Sequence, residues 1–492
     1  QAEDGIRDSV ASRGLGDVYK RQVYMEALTD IFSTLGGIAW GPYMLAFIAF
    51  TGLYLTIGLK FMPIMKISYG LKLLKAKPDD KEKGEIPARS ALFTAMSATV
   101  GTGNIAGVAT AIALGGPGAI FWMWVMGFIG MATKYGEAVL AVKFRETDSN
   151  GSYVGGPMYY IKNGLGEKWK WLGFLFALFG TIAAFGIGNM VQSNTVANQL
   201  QNTLNVEPLL TGIIIAFIAG LVIIGGVKRI SAFASTLVPL MALLYIISAL
   251  IIVLMNFNQV PTAFGIIIDS AFNGTAATGG FAGATVLMAI RFGIARGVFS
   301  NEAGLGSAPI AHAAAKTNSP VKQGTIAMLG TFFDTIIICS LTALVIVISG
   351  AWQSGDNGAV LTSNAFVFGL STVGESIITI SLILFAFTTI IGWSYYGERC
   401  SAYIFGTKAI MPYRILWLLS IVLGAYALNL GGTTAESVNL IWLIADVMNG
   451  FMAIPNLIAL VLLSPVIFKF CLLYTSDAAD EGLGVDLGGR RI

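Results

Sequence analysis

The stretch SATVGTGNIAGVATAI, from Ser97 to Ile112, interrupts an otherwise apolar segment. It contains three glycines (Gly101, Gly103 and Gly107), one side-chain amide (Asn104) and four hydroxyl side chains. Glycine costs about 1 kcal/mol per helical position relative to alanine, and a lipid bilayer supplies no water to a loosened backbone. The stretch therefore predicts either an unwound segment inside a membrane helix or a close helix–helix contact, since small residues also let helices approach.

The composition of the whole chain indicates that this stretch lies in a bilayer. Of 492 residues, 55% are hydrophobic and 12% are charged, with a mean hydropathy of +0.75. A soluble protein could not cover so much apolar surface, so we expect an all-α polytopic membrane protein. The net charge of +3 and the lack of an interleaved basic and aromatic patch argue against a nucleic-acid partner.

Metal-dependent enzymes and disulfide-stabilised proteins are also poor matches. Three cysteines and one histidine, His312, show neither a disulfide pattern nor metal-ligand spacing. The sequence contains no convincing nucleophile–base pair, which argues against an enzyme, and it suggests no organic cofactor. We expect His312 to be a solvated loop residue rather than a proton relay.

The two ends of the chain look foreign. DVYKRQ (Asp17–Gln22) can be encoded by a DNA stretch whose reverse complement, read one base later, encodes CLLYTS (Cys471–Ser476). Reverse complements at two ends are typical of sequencing-library adapter translated into protein. We therefore expect residues 1–22 and 471–492 to be adapter-like, non-native segments, and residues 23–470 to form the membrane domain.

Hydropathy predicts about eleven spans of about 17–25 residues each. They lie near residues 40–59, 88–113, 117–142, 171–200, 208–226, 231–255, 280–298, 323–350, 375–405, 411–429 and 434–468. Loops after the odd-numbered spans are rich in Lys and Arg, whereas the intervening loops contain neither. The positive-inside rule then places the N-terminus outside and the C-terminus in the cytoplasm.

This count permits an internal symmetry. The second span runs outward and the seventh, five spans later, runs inward. A five-plus-five division after the first span would give inverted repeats at about residues 85–256 and 276–468. Inverted repeats are a transporter architecture in which the substrate binds at the midplane, where helices are discontinuous. Similarity between the two halves is not visible in the sequence.

A second glycine-rich segment, MAIRFGIARGVFSNEAGLGSAPIAHAAA (Met288–Ala315), lies five spans after the first. It places Ser300, Asn301 and Glu302 close to Arg291 and Arg296. The alternative interpretation is a cytoplasmic helix end with a glycine-rich cap. Two glycine-interrupted segments at matching places in the two halves favour a transporter site.

Charged residues inside the spans refine this hypothesis. Asp334 lies well inside the eighth span, where an ionisable group is costly and is by default a functional hypothesis. A sodium ligand, an ion pair with Arg291 or Arg296, or a structural salt bridge would each account for it. Lys134 and Glu137 share one helical face of the third span and are expected to be a structural pair.

Neutral polar residues leave further alternatives open. Threonine hydroxyls at Thr388 and Thr389 could serve sodium in a cavity or bond back to their own helix. Trp393 could close a small pocket or simply pack, and its indole N–H needs a partner in either case. Gln192 could meet polar substrate atoms or belong to the outer interface. Asp446 and Asn449 in the eleventh span are three residues apart, like Lys134 and Glu137, and form a weaker signal of the same kind.

These motifs resemble a known family. GGPGAIFWMWVMGFIG (Gly115–Gly130), the opening stretch, GVFSNEAGLGSAP (residues 297–309) and FAFTTIIGWSYYGE (residues 385–398) are similar to the alanine/glycine:cation symporter family. The resemblance covers about residues 29–468. It implies sodium-coupled import of alanine, glycine or a similar small neutral amino acid by alternating access across a prokaryotic inner membrane. It also implies the leucine-transporter fold, with ten core helices in two inverted repeats after one extra N-terminal helix.

The resemblance further implies roles for individual residues. Backbone at Thr99 and the side chain of Asn104 would hold one sodium ion, completed near Asp334, while amides around Thr102 and Gly103 would hold the substrate carboxylate. The second sodium would lie between backbone at Ser97 and Val100 and the hydroxyl of Thr388 or Thr389. The expected substrate ligands are Thr102, Gly103, Asn104, Gln192, Ser300, Asn301 and Trp393. The expected sodium ligands are Ser97, Thr99, Val100, Asn104, Asp334, Thr388 and Thr389.

Two other functions remain open on this basis. A proton-coupled amino-acid transporter of the same fold would need the same broken helices. An ion channel would need a pore lined by repeated carbonyl or charge rings, whereas the two glycine segments differ from each other.

Overall fold

The chain is almost entirely helical. The computed structural model describes residues 26–76, 81–276, 279–427 and 433–472, without the side chains of 433–439. The expected adapter-like segments, except for 471 and 472, lie outside the described residues. In the first half the helices are α1 (26–39), α2 (Pro42–Gly58), α3 (Met62–Met65), α4 (Ile67–Leu73), α5 (Ala88–Thr99), α6 (Val108–Gly115), α7 (Ala119–Lys143), α8 (Pro157–Tyr160), α9 (Lys170–Phe185), α10 (Val191–Leu204), α11 (Pro208–Ile223) and α12 (Gly226–Met255).

The second half continues in the same manner. Its helices are α13 (Val260–Asn273), α14 (Val286–Asn301), α15 (Ala308–Ala313), α16 (Pro320–Thr331), α17 (Ser340–Ile348), α18 (Gly358–Leu370), α19 (Thr372–Phe405), α20 (Ile410–Tyr426), α21 (Thr433–Leu462) and α22 (464–472). Wider π-helical turns at Gly103–Gly107, Ile161–Leu165, Gly186–Met190 and Phe332–Cys339 join neighbouring helices. Four two-residue strands complete the described structure: β1 (Ile86–Pro87), β2 (Glu146–Thr147), β3 (Tyr153–Val154) and β4 (Ala315–Lys316).

The expectation of a polytopic helical protein is confirmed. Among the described residues, eight helices are long and apolar enough to cross a membrane, and a ninth span is a bent pair. Two other predicted spans, 208–226 and 280–298, correspond to the shorter helices α11 and α14. The predicted outer loops contain α13 and α18, which the hydropathy pattern did not indicate. The total of about eleven spans and the inverted repeat stay predictions.

The second predicted span is broken where its glycines lie. Helix α5 ends at Thr99, Val100 is extended with ψ 90°, and the helical axis turns by 57° before α6. Gly101 is required by packing, since a Cβ atom there would lie 2.5 Å from the Thr389 hydroxyl oxygen of α19. The structure therefore has an unwound segment here, and the close helix contact occurs at the same point.

The second glycine segment is also a break inside the fold rather than a capped helix end. Helix α14 stops at Asn301, and Glu302 adopts the left-handed conformation with φ 56°. Gly304 and Gly306 have φ values of 93° and 82°, which favour glycine. The chain becomes helical again at α15, and residues 300–315 are all buried.

The two broken helices are tied together at one end. Strand β1 precedes α5 and pairs in parallel with β4, which follows α15. The guanidinium of Arg145 donates hydrogen bonds to four backbone carbonyls around this pair, at Lys83, Ala313, Ala315 and Thr317. This arrangement fixes the start of α5 next to the end of α15. The unwound parts of the two broken helices meet deeper in the molecule.

Candidate functional site

The two breaks meet at the carboxylate of Asp334. This residue lies in the π-helical turn Phe332–Cys339 and is fully buried. Its Oδ1 accepts a 2.6 Å hydrogen bond from the Asn104 amide of the first break. Its Oδ2 accepts a 2.9 Å bond from the Ser300 hydroxyl at the end of α14. One carboxylate therefore connects both interrupted helices.

The surroundings of Asp334 exclude one of the predicted alternatives. The Thr335 hydroxyl also donates to Oδ2, and the Asn301 amide donates to that hydroxyl. No salt bridge to Asp334 occurs among the described side chains. The expectation of an ion pair with an arginine is wrong, because the packing of α14 places Arg291 and Arg296 in a separate cavity of about 410 Å³ that they share with Asp446.

Asn104 has a more specific role than its residue type suggested. Its side-chain oxygen accepts a 2.9 Å hydrogen bond from the backbone N–H of Gly101. Its amide donates to Asp334 and its own carbonyl accepts from the Thr342 hydroxyl. Asn104 thus caps a backbone donor that the break has released, and it connects the break to Asp334 by a hydrogen bond.

The break also releases backbone acceptors. The last hydrogen bond of α5 runs from Val100 N–H to the carbonyl of Met96. Beyond it, the carbonyl oxygens of residues 97–100 accept none of the hydrogen bonds found in the described structure. Carbonyl oxygens are hard ligands of the kind that small cations bind. Three residues predicted to bind sodium, Ser97, Thr99 and Val100, belong to this group.

The structure distinguishes the two threonines of α19. Both hydroxyls donate to the carbonyl of Phe385, which is the back-bonding alternative. Thr388 also contacts the Met241 sulfur of α12. Thr389 instead faces the break, next to Gly101, and lines the central cavity. Only Thr389 is brought to the predicted site.

The central cavity lies between the two breaks. Its lining comes from the first break (Ala98, Thr99, Gly101, Thr102, Gly103), the second break (Phe299, Glu302, Leu305) and surrounding helices (Ile187, Gln192, Thr389, Trp393, Asn449). The space open to the centre of a water molecule is about 20 Å³, which accommodates about one water. An amino acid needs more room, so in this conformation the cavity is contracted.

Four of the seven predicted substrate ligands lie on this lining: Thr102, Gly103, Gln192 and Trp393. The side-chain oxygen of Gln192 accepts a 3.3 Å hydrogen bond from the Thr102 hydroxyl, so Gln192 is not an interfacial residue. Trp393 packs against Gly188, and its indole N–H donates a 2.9 Å bond to Glu302. Ser300 and Asn301 instead belong to the network around Asp334.

Two polar residues of the lining, Glu302 and Asn449, had no predicted binding role. Glu302 was noticed only as part of the second glycine segment, and Asn449 only as the weaker partner of Asp446. Both are buried, with 4% and 1% of their surfaces exposed. An acid two residues before the pair Gly304 and Gly306, and an amide in an apolar helix, were the available signals.

Two further expectations are corrected by the structure. His312 is 1% exposed and its Nδ1 lies 2.7 Å from the amide of Gln323, because α15 packs inside the protein. Lys134 and Glu137 do not form a structural ion pair, since the Lys134 ammonium has no hydrogen-bond partner in the described structure. The Glu137 carboxylate instead accepts from Gly304 N–H and the Asn456 amide, and thereby supports the second break.

Comparisons with known proteins agree with this architecture. The sodium:alanine symporter family model matches residues 25–483. The sodium/alanine symporter AgcS of Methanococcus maripaludis is 50% identical over 445 residues, covering 89% of this chain and 95% of that protein. An uncharacterized transporter of Haemophilus influenzae is also 50% identical over 445 residues, covering 90% of this chain and 95% of that protein.

Solved structures support the fold. The crystal structure of MhsT in complex with L-phenylalanine matches with a TM-score of 0.51 at 14% identity, covering 80% of this chain and 99% of that one. Such a likeness concerns the fold alone, and it confirms the predicted leucine-transporter fold class, while the helix count and the inverted repeat stay predictions. The match over most of the chain and the identity to curated relatives settle the family, whose members are symporters rather than enzymes. This chain belongs to the sodium:alanine symporter family.

Proposed function

We propose that this protein is a secondary active symporter that couples sodium entry to import of alanine, glycine or a similar small neutral amino acid. The observation that carries the proposal is the break at Gly101, which lies beside a buried carboxylate and releases backbone acceptors from residues 97–100. Family membership supports sodium as the coupling ion and alanine as substrate. The protein would act in a prokaryotic cell membrane, with its N-terminus outside.

In this proposal one sodium ion binds between the carbonyls of Ser97 and Val100 and the hydroxyl of Thr389. Thr389 is favoured over Thr388 because it faces the break. A second sodium would bind near Thr99, with Asp334 supplying negative charge. Asn104 would contribute through its hydrogen bonds to Gly101 and Asp334. Its side-chain oxygen accepts one hydrogen bond and keeps a second lone pair, which would be available to the ion.

The substrate carboxylate would bind the backbone amides around Thr102 and Gly103, which line the cavity and lie at the start of the second half-helix. Sodium beside the break would stabilise the unwound backbone and offset the negative carboxylate, so each ligand raises the affinity for the other. Because the cavity has room for about one water, its walls must separate when substrate enters. Alternating access would then expose the loaded site to each side in turn.

The test uses purified protein in liposomes and radiolabelled L-alanine. An inward sodium gradient is expected to drive accumulation that saturates with alanine concentration and disappears when choline replaces sodium. Uptake driven by an inward proton gradient without sodium would instead support the proton-coupled alternative. Absence of alanine uptake under either gradient contradicts the proposal.

A further inference from the structure

The contacts described so far provide for sodium and for the substrate carboxylate, but not for the substrate ammonium group. A zwitterionic amino acid carries three ammonium N–H donors that need acceptors once water is removed. Two acceptors on the cavity lining, Glu302 and Asn449, have no role in the proposed function.

Glu302 occupies a position that the fold makes special. It is the first residue after α14, and its left-handed backbone begins the turn of the second break. One carboxylate oxygen accepts from the Trp393 indole N–H at 2.9 Å, and the other accepts from the Ser307 hydroxyl. Because a carboxylate can accept about four hydrogen bonds, acceptor capacity toward the cavity remains.

Asn449 supplies an independent observation on the same cavity lining. This residue of α21 is 1% exposed and lines the same cavity. Its side-chain oxygen has no hydrogen-bond partner in the described structure. A buried acceptor without a partner costs about 1–3 kcal/mol, so a ligand that donates a hydrogen bond there would recover that cost.

Charge balance points in the same direction. The salt bridges of the described residues do not include Glu302. Three buried carboxylates, Asp334, Glu137 and Glu302, lie in this region with one buried ammonium, that of Lys134. If all are ionised, their net charge is −2. A buried, uncompensated carboxylate is costly, and bound cations would offset it.

We infer that Glu302 and Asn449 form the ammonium-binding end of the substrate site, opposite the amides at Thr102 and Gly103. This inference rests on the proposed function. The ammonium donates to the Glu302 carboxylate and the Asn449 side-chain oxygen, so the site favours a zwitterion over a simple carboxylic acid. Trp393 holds the Glu302 carboxylate in place through its indole N–H.

The experiment compares alanine with lactate, in which a hydroxyl replaces the ammonium. Each is titrated against purified protein in saturating sodium, and apparent affinity is taken from the ligand-induced rise in melting temperature. The test variant is Glu302→Gln, which removes the charge but keeps an acceptor for the Trp393 indole. Glu146→Gln is the control, because it neutralises a partly buried carboxylate that pairs with Lys162 and does not line the cavity.

In Glu302→Gln we expect alanine affinity to fall about 10- to 100-fold, as for loss of a charged hydrogen bond, while lactate affinity changes little. The alanine-to-lactate ratio therefore falls at least about tenfold, and in Glu146→Gln it stays within about threefold of wild type. Asn449→Ala should lower the ratio about threefold or more. An unchanged ratio in folded Glu302→Gln overturns the inference.

If Glu302→Gln does not fold, Glu302→Asp and Asn449→Ala decide. A selective loss of alanine affinity supports the inference, and an equal loss for alanine and lactate overturns it. Sodium-driven alanine uptake by the wild-type protein distinguishes failure of the proposed function from failure of the ammonium-site assignment. If that uptake is absent, the proposed function fails. If it is present and the affinity ratio does not respond, only the assignment of the ammonium end fails.

Discussion

The Asn104 amide and the Asp334 carboxylate form a 2.6 Å hydrogen bond between residues 230 positions apart in the chain. The same Asn104 side chain accepts the N–H of Gly101 at 2.9 Å. The unwound segment of the first broken helix and the buried charge in the eighth predicted span are therefore one unit. Because Ser300 donates to the same carboxylate, the two breaks share one hydrogen-bond acceptor.

Replacing Asn104 with Ala should weaken sodium coupling. The change removes one donor to a buried carboxylate, a loss worth about 1.5–3 kcal/mol, and leaves Gly101 N–H without its acceptor. We expect the sodium concentration for half-maximal alanine uptake to rise about tenfold or more. Asn202→Ala, an exposed asparagine at the end of α10, is the control and should leave it unchanged. Full sodium dependence in Asn104→Ala would show that the bond does not serve coupling.

Gly101→Ala should abolish uptake, whereas Gly107→Ala in the same segment should not. A Cβ atom at Gly101 would lie 2.5 Å from the Thr389 hydroxyl, but at Gly107 nothing lies within 4 Å. Melting temperature and alanine uptake are measured for both variants. The added Thr389→Ala change should restore part of the stability lost in Gly101→Ala, because it removes the atom that clashes. Normal uptake by Gly101→Ala would mean that the break tolerates wider helix spacing.

Thr389→Val should impair sodium affinity more than Thr388→Val. Both substitutions preserve shape and remove a hydroxyl that bonds to Phe385. Only Thr389 lines the cavity beside the break, while Thr388 contacts Met241. We expect the half-maximal sodium concentration to rise about tenfold in Thr389→Val and less than about threefold in Thr388→Val. The opposite order would assign the sodium contact to Thr388.

Glu398→Gln should destabilise the protein strongly. The Glu398 carboxylate is 1% exposed and pairs at 2.6 Å with both Arg399 and Arg414. Removing the shared acid leaves two guanidinium groups without their main partner, which typically costs about 3–5 kcal/mol. Glu167→Gln, in a 3.7 Å pair with Lys170 whose side chains are 57–72% exposed, is the control and should cost less than about 1 kcal/mol.

The free energy of unfolding of each variant is measured by denaturant titration in detergent. Equal losses in the two variants would contradict the distinction between the buried and the exposed pair.

Several features of the fold could be predicted from local sequence. The apolar composition requires a bilayer, and runs of apolar residues mark the spans because lipid imposes a minimum length. Glycine clusters at Gly101–Gly107 and Gly293–Gly306 mark both breaks, because glycine weakens a helix wherever it occurs. Helices α13 and α18 were missed, because at 14 and 13 residues they are shorter than the apolar run that a span requires.

The contacts of the candidate site depended on packing. Arg296 lies four residues before Ser300, so spacing alone allowed it to reach Asp334, yet in the folded protein it shares a cavity with Asp446. Likewise, the adjacent threonines of α19 differ only in which neighbouring helix each one faces.

The sequence by itself determined that this protein is a membrane-embedded helical protein with two glycine-rich segments, because composition and helix propensity act over a few neighbouring residues. Only the tertiary structure decided that Asp334 bridges the interruptions and that Glu302 and Asn449 face one cavity. Those partners come from distant helices, and their meeting depends on how whole helices pack rather than on any local pattern.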